Sequence, residues 1–176
     1  MTPSTHTTTA THTTASDDGV RSRLPDPRDL VPDLAKLSGA LRGALRDGPV
    51  PETTLTLMQL RAAQIVGSTY HALPLTEALR RSGESELRIT AVATWQDAPC
   101  FSEGERLALE LVEAVLTPNP AGERVTDALF ARVSALYGDE EIWTLTLAIG
   151  HFCLFVPVAL IGKPIPGRPL GKNYSR

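Results

Sequence analysis

Apolar side chains recur at helical spacing along much of this 176-residue chain. Leu34, Leu37, Leu41 and Leu45 lie three or four residues apart, which places them on one face of a helix. The Asp-Gly-Pro sequence at residues 47–49 should end that helix, because glycine and proline both interrupt helical backbone. The pattern therefore predicts an amphipathic helix after a Pro- and Asp-rich lead-in.

A longer helix is predicted to begin near Pro51 and Glu52, because a proline in the first turn and an acid at the positive end of the helix dipole are both favourable. The pattern continues to about Leu73. Pro74 has no amide hydrogen to donate to the preceding turn, so we expect a kink that places a polar corner beside His71. Two short helices are predicted next, over residues 75–81 and 87–95.

The second half of the chain carries a clear helix start. Ser102 and Glu105 have the spacing of a capping box, in which each side chain bonds the other residue's backbone amide. The apolar residues that follow predict a helix. After a Pro/Asn/Gly loop, another helix is predicted from the spacing of Val125, Leu129, Val133 and Leu136.

The last predicted helix starts at Asp139 and covers residues 140–161. It is apolar nearly all round for about twenty residues, which is the length of a membrane crossing. A core helix that is covered by its own domain and by another subunit would have the same hydrophobicity. The pattern alone leaves both interpretations open.

No segment shows strand-like alternation bounded by turn signals, so the predicted fold class is all-α. The length fits one domain with a substantial core. We place this domain at residues 25–162. It lies between a Thr/Ser-rich tail at residues 1–24, which we expect to be disordered, and a Pro/Gly-rich tail at residues 163–176.

Composition argues against several classes of protein. The net charge of −3 and the scattered basic residues offer no single-signed face for nucleic acid. The N-terminal segment has no apolar run, unlike a signal peptide or membrane anchor, and we expect His6 and His12 within it to be solvated. Cys100 and Cys153 have no metal-ligand or Cys-x-x-Cys spacing. We expect a cytoplasmic protein without a metal or cofactor.

Residues 60–75, LRAAQIVGSTYHALPL, together with RRSGESELRITAVATWQDAPCFSEGERLALELVEAVL downstream, resemble the carboxymuconolactone decarboxylase and alkylhydroperoxidase-D-like (AhpD-like) family. Its peroxidatic members carry Cys-x-x-Cys where this chain has Ser68 and His71. Their proton relay uses a Glu and a His at the positions of Thr56 and Leu75. Because a serine hydroxyl cannot be oxidised reversibly as a thiolate can, we predict neither a peroxidase nor a disulfide reductase.

The resemblance covers about residues 53–158. It implies an AhpD-like helical bundle that assembles as a homo-oligomer, commonly with trimeric units. It also implies a pocket between the altered helix and helices of the same or an adjacent subunit. In that family the long C-terminal helix is a central element of oligomers, so we expect no membrane partner.

The candidate catalytic residues are His71 and Ser68, which are neighbours on one face of a helix because they are three residues apart. An imidazole titrates near neutral pH, so His71 is the candidate general acid/base. Ser68 would hold the His71 tautomer or bind a substrate oxygen. Gln64 and Thr56 are expected to extend the same polar wall, and Tyr70 to add a hydroxyl, so all three are candidate substrate-binding residues.

Other interpretations of these two residues remain open. Ser68 and His71 could simply fill the space of two cysteines, with their polar atoms bonded to nearby backbone. A nucleophilic Ser–His pair is the sharper alternative, but the sequence offers no evident carboxylate to orient the imidazole and no nucleophile elbow.

Two more residues are candidates for substrate binding. His151 lies in the apolar last helix and needs a polar partner there, which could be a ligand in the pocket of His71, a backbone carbonyl or a neighbouring subunit. Trp95 occupies a position that is usually aromatic in the family, where it could stack on a ligand or pack between helices.

The sequence thus favours a non-redox, cofactor-free enzyme of the lyase, isomerase or cyclase type. It would use acid/base chemistry for cyclisation, isomerisation, elimination or decarboxylation of a small carbonyl-containing molecule, as in bacterial specialised metabolism. The alternative is a catalytically silent oligomer that binds a small molecule or serves as a scaffold. Residual peroxide reduction through Cys100 or Cys153 is a third possibility, and we expect none.

Overall fold

The computed structural model describes residues 20–168 and 172–174, and this part of the chain is helical without strands, which confirms the all-α fold class. A 3₁₀ turn, Val92–Thr94, follows the fifth helix. The α-helices in the described part are α1 (Pro27–Leu30), α2 (Asp33–Arg46), α3 (Glu52–Ile65), α4 (Thr69–Arg81), α5 (Glu86–Ala91), α6 (Glu103–Leu116), α7 (Asp127–Leu136) and α8 (Asp139–Gly162).

Helix α3 lies at the centre of the bundle, in contact with α4, α6 and α8. Successive helical residues point about 100° apart, so a helix with neighbouring buried positions must be covered on more than one side. Leu57 and Met58 in α3 are both fully buried, and they belong to two different apolar clusters. The α3–α6 pair therefore separates the core into two layers.

The larger layer joins α2, α3, α6, α7 and α8 around Met58, Val112, Leu145 and Phe152. The smaller layer joins α3, α4, α5 and α6 around Leu57, and its members include Trp95. The predicted capping box at the start of α6 is confirmed, since the Ser102 and Glu105 side chains each bond the other's backbone amide.

Helix α8 is buried along one face and exposed along the other. By length and composition it could cross a membrane, with a mean hydropathy of 2.1, and 33% of that apolar window is buried inside the protein. The buried face, which includes Leu145 and Phe152, packs against α2, α3 and α7. The opposite face leaves Trp143, Leu147 and Ile161 exposed.

The predicted continuous helix from Pro51 to Leu73 is wrong, because α3 ends at Ile65 and a new helix starts at Thr69. Gly67 between them has a φ of +67°, a conformation that glycine adopts far more readily than other residues. Pro74 instead lies inside α4. The lead-in before α2 also contains α1, which the sequence pattern did not predict.

The segments that flank the predicted domain pack against it. Of the predicted N-terminal tail, residues 1–19, including His6 and His12, lie outside the described part. The amides of Arg23 and Leu24 donate to the carbonyl of Gly162, at the end of α8. After α8, Ile165 and Asn173 are buried, and the Ile165 amide donates to the Asn173 carbonyl at 2.7 Å. The predicted domain limits stay a prediction.

Candidate functional site

The break between α3 and α4 sets the positions of Ser68 and His71. The Ser68 amide donates to the carbonyl of Ala63 at 2.9 Å, which closes the end of α3. Ser68 then has extended backbone as the N-cap of α4, but its side chain makes no capping bond to that helix. The hydroxyl turns to His71 instead, with 2.8 Å between Ser68 Oγ and His71 Nδ1.

The other ring nitrogen of His71 is left without a protein partner. His71 Nε2 is buried and has no hydrogen bond. The ring packs against two aromatic rings, with centroid distances of 5.3 Å to Tyr70 and 5.0 Å to Phe152. Burial lowers the pKa of His71, and the positive charge that His151 can carry lowers it further. His71 is therefore a neutral imidazole near pH 7.

His151, from α8, is in a matching situation. Its Nε2 is also buried without a hydrogen bond, and its ring meets the edge of Phe155 at a centroid distance of 5.4 Å. Burial lowers the pKa of His151, and the nearby charge of Arg42 lowers it further. The structure thus brings two neutral imidazoles together, each with an unused nitrogen.

Both imidazoles line one cavity of about 720 Å³. Its walls come from α1, α2, α4, α8 and the segment after α8, with Gln59 from α3, so segments at both ends of the domain help to enclose it. The apolar residues of the wall include Leu34, Leu73, Leu75, Phe152, Phe155 and Val158. An apolar cavity with a few convergent polar groups is typical of a small-molecule site.

Charged side chains also line this cavity. Asp26 is paired with Arg28, and Glu77 with Arg80, so both carboxylates already have cationic partners. Arg42 donates to the hydroxyl of Ser38. The electrostatic environment near the two imidazoles is consequently neutral to positive.

Tyr70 lines the same cavity, and the C-terminal segment fixes its hydroxyl. Asn173 Nδ2 donates to Tyr70 Oη at 2.8 Å, and Asn173 is 1% exposed. Sequence reasoning missed Asn173 because it lies in a Pro/Gly-rich stretch without a periodic pattern. Its contact joins residues 103 positions apart, and no local signal reports such a contact.

The other sequence-predicted site residues lie elsewhere. Thr56 and Gln64 are on α3, before the break at Gly67, and they do not line the cavity. The α3 residue that does line it is Gln59, which the sequence pattern did not single out. The Thr56 hydroxyl donates to the carbonyl of Glu52. Trp95 is buried in the smaller apolar layer. The expected polar wall on one continuous helix is therefore wrong.

Trp95 instead belongs to a polar cluster centred on Glu113. The Glu113 carboxylate accepts hydrogen bonds from Trp95 Nε1 at 2.9 Å and from Arg61 Nε at 2.5 Å, and Gln96 donates to it as well. These bonds give the carboxylate several donors and tie α3 to α6. The cluster is a satisfied structural network.

Cys100 and Cys153 are both free thiols. Neither lines the cavity of the two histidines. Burial raises the pKa of Cys153, which disfavours the reactive thiolate. Among the residues that the structure describes, no three His, Cys, Asp or Glu side chains are grouped as a metal site would require.

Comparisons with known proteins agree with this fold. The model of the carboxymuconolactone decarboxylase family matches residues 32–114. The uncharacterized protein YdfG of Bacillus subtilis (strain 168) is 30% identical over 124 residues, which span 70% of this chain and 82% of that protein. The uncharacterized protein YnjA of Escherichia coli (strain K12) is 33% identical over 103 residues, which span 58% of this chain and 54% of that protein.

Solved structures show the same architecture. A protein of unknown function from Agrobacterium tumefaciens, suggested to be the antioxidant-defence protein AhpD, superposes with a TM-score of 0.75 at 26% identity, over 85% of this chain and all of that one. A single-residue variant of the debrominase Bmp8, in complex with 2,3,4-tribromopyrrole, gives a TM-score of 0.68 at 18% identity, over 80% and 75% of the two chains. The second likeness concerns the fold alone. With its AhpD-like helical fold and these relatives, the chain belongs to the carboxymuconolactone decarboxylase family.

Proposed function

We propose that this protein is a non-redox, cofactor-free enzyme that performs acid/base chemistry on a small carbonyl-containing molecule. The observation that carries the proposal is the pair of buried Nε2 atoms, of His71 and His151, that lack partners beside an apolar cavity. Buried polar atoms are normally hydrogen-bonded, so two such atoms at one cavity favour a ligand that bonds them. Cyclisation, isomerisation, elimination and decarboxylation all suit this arrangement.

The state of the thiols supports a reaction that does not involve redox chemistry. By the family resemblance, Ser68 and His71 stand where peroxidatic members carry cysteines, and neither cysteine of this chain lines the cavity. A thiolate at Cys153 is disfavoured because burial raises the pKa of that thiol. We therefore assign the chemistry to the imidazoles.

Turnover by a His71→Gln variant tests the enzyme proposal. Small ketones, lactones and β-keto acids would be incubated with the wild-type protein, and products identified by mass spectrometry. For a substrate found in this way, kcat should be about 10²- to 10⁴-fold lower in the His71→Gln variant, because that factor is the usual contribution of a general acid/base. The melting temperature of the His71→Gln variant should change little, because glutamine is also polar and fits a similar volume.

A Cys100→Ser variant is the matched control, since Cys100 lies outside the cavity and should keep full turnover. Unchanged turnover in His71→Gln would end the assignment of His71. Ligands that bind in the cavity without any product would instead support the alternative function, a catalytically silent binding protein. Hydroperoxide consumption that is lost in Cys100→Ser would contradict the non-redox proposal.

We also propose that the protein is a homo-oligomer that uses the exposed face of α8. Trp143 is 66% exposed and Ile161 is 62% exposed, with Leu147 and Leu154 between them on the same side of the helix. An apolar stripe of this length is costly in water, and a second copy of α8 would cover it with like side chains. With this face of α8 covered by a second copy, the helix needs no membrane, and we propose a cytoplasmic location.

Light scattering after size-exclusion chromatography would measure the assembly. The wild type should be larger than a monomer, and a Trp143→Glu/Leu147→Glu variant should shift toward the monomer. Leu87→Glu is the control, because Leu87 is an exposed apolar residue on α5, away from the stripe. A monomeric wild type that floats with lipid vesicles would refute the oligomer and favour the membrane.

A further inference from the structure

The two cavity histidines differ in what their other ring nitrogen contacts. His71 Nδ1 lies 2.8 Å from Ser68 Oγ, whereas the His151 side chain has no hydrogen bond to the described part of the chain. The proton positions on the two rings are therefore set by different surroundings. This difference matters because a neutral imidazole is a donor at one nitrogen and an acceptor at the other.

The Ser68 hydroxyl is placed to select between the two tautomers of His71. Ser68 is 5% exposed, and its side chain makes no capping bond to α4. Within the described residues, its hydroxyl hydrogen has one acceptor, His71 Nδ1. Because an unsatisfied buried donor is costly, the favoured arrangement is the one in which the hydroxyl donates to Nδ1 and the ring proton is on Nε2. His71 thus presents an N–H donor to the cavity.

A donor of this kind is suited to a carbonyl oxygen. A neutral imidazole N–H can polarise a carbonyl and stabilise the oxyanion that forms when an adjacent carbon loses its proton. That reaction also needs a base on the same cavity. The carboxylates of Asp26 and Glu77 are engaged with Arg28 and Arg80, so they are poor candidates.

His151 is the remaining candidate for the base. Its Nε2 is buried at the cavity without a partner, and its neighbour in sequence, Phe152, packs on the ring of His71. Burial, and after it the nearby charge of Arg42 from α2, lowers the pKa of His151, so its ring is neutral in the resting protein. A neutral imidazole has the free electron pair that proton removal requires.

We propose that the two histidines have separate roles: His71, held as the Nε2–H tautomer by Ser68, donates to a substrate carbonyl oxygen, and His151 removes a proton from the adjacent carbon. The C–H electron pair forms the second bond between the two carbons, and the carbonyl π pair moves to the oxygen. That oxygen accepts a hydrogen bond from His71 Nε2–H. The proton resides on His151 Nε2 and returns to a carbon of the enolate. The step needs no co-reactant.

This proposal rests on the proposed function and narrows it to enolisation of a ketone, ester or lactone that has a hydrogen on the carbon next to the carbonyl. The apolar walls of the cavity select a largely apolar body for that compound. Ser68 is a positioning residue, because it acts through the His71 ring.

The tautomer of His71 can be measured without any substrate. Long-range ¹H–¹⁵N correlation spectra of the ¹⁵N-histidine-labelled protein at pH 7.5 distinguish the Nδ1–H, Nε2–H and doubly protonated rings. We expect His71 as Nε2–H in the wild type and a mixture of tautomers in Ser68→Ala. Ser82→Ala is the control, since the Ser82 hydroxyl bonds the carbonyl of Leu79 at the far end of α4. An Nδ1–H or charged His71 in the wild type would overturn the assignment of roles.

Hydrogen exchange then tests the base, with 1-indanone in D₂O as the probe. The wild-type protein should speed deuterium incorporation beside the carbonyl, and His151→Gln should reduce that rate by about 10²- to 10⁴-fold. His71→Gln should reduce it by about 10²- to 10³-fold.

The outcomes separate the two proposals. Exchange that persists in His151→Gln but depends on His71 would refute the role of His151 and leave the proposed function standing. No exchange by the wild type, with His71 in the expected tautomer, would refute enolisation. Turnover of another carbonyl substrate would then still support the broader proposed function.

Discussion

Replacing Ser68 and His71 together by apolar side chains should stabilise the protein while removing its proposed chemistry. In a Ser68→Ala/His71→Leu variant, the buried Nε2 that lacks a partner is gone. Relief of one unsatisfied buried polar atom is worth about 1–3 kcal/mol. The hydrogen bond between the two side chains is also lost, but because both partners are replaced by apolar groups, this loss has almost no effect on stability.

The lower end of this range applies, because His71 is only half-buried as a whole residue. We expect a gain of about 1 kcal/mol at pH 7.5, which corresponds to a rise in Tm of about 2–4 °C for a chain of this size. The single variant Ser68→Ala should not stabilise, because it leaves His71 Nδ1 without its partner as well.

The stability difference should depend on pH. Burial, aided by the charge on His151, lowers the pKa of His71 below its ordinary value of 6.5. Burial, and after it the charge of Arg42, lowers the pKa of His151 in the same way. Below pH 6.5 the unfolded chain therefore binds more protons at these histidines than the folded chain does. Their contribution to the free energy of unfolding is fully present above that pH and is lost as the pH falls toward the folded-state pKa values. The loss is at most about 1.4 kcal/mol per pH unit for each histidine.

Of these two histidines the double variant keeps only His151, so its stability should fall less steeply with falling pH than that of the wild type. Its advantage over the wild type should consequently be larger at pH 5.5 than at pH 7.5. Urea denaturation followed by circular dichroism at the two pH values measures both quantities. A double variant that is less stable than the wild type at pH 7.5 would refute the reasoning that Nε2 is unsatisfied, and an advantage that is equal at both pH values would refute the neutral buried imidazole.

Three further predictions concern the fold and can be read from thermal or urea unfolding. Gly67→Ala should lower the free energy of unfolding by about 1–2 kcal/mol because Gly67 has a positive φ, even though an added Cβ would meet nothing within 4 Å. Gly39→Ala, in the middle of α2, should instead raise it by about 0.5–1 kcal/mol. Ser102→Ala should cost about 1 kcal/mol through loss of the capping box, against little change for the exposed Ser134→Ala. Met58→Ala should cost about 2–5 kcal/mol, because Met58 is fully buried in the larger layer; a cost below about 1 kcal/mol would contradict that packing.

Much of the fold could be predicted because its signals are local. The spacing of apolar residues predicted α2, α7 and α8, and the Ser102–Glu105 pair predicted the start of α6. The predicted break is misplaced, because the prediction rests on Pro74 whereas the helix ends before Gly67. A proline inside a helix removes one hydrogen bond, whereas a glycine with positive φ, followed by an N-cap serine, ends one helix and starts another.

The candidate site could be predicted only in part. The sequence identified His71, Ser68, Tyr70 and His151, and the structure places three of them on one cavity and Ser68 in contact with His71. The prediction places Gln64 and Thr56 beside them because it assumes one continuous helix, and neither residue lines the cavity.

The amino-acid pattern is enough to predict an all-α chain that resembles the carboxymuconolactone decarboxylase family, with Ser68 and His71 where that resemblance implies redox cysteines. Helix spacing, caps and substituted motifs are each encoded within a few residues. Three features are visible only in the folded chain: His71 and His151 share a cavity, both leave Nε2 without a protein partner, and Asn173 bonds Tyr70. Such contacts join residues that are far apart in the sequence, and they arise from how the helices pack, which local patterns do not specify.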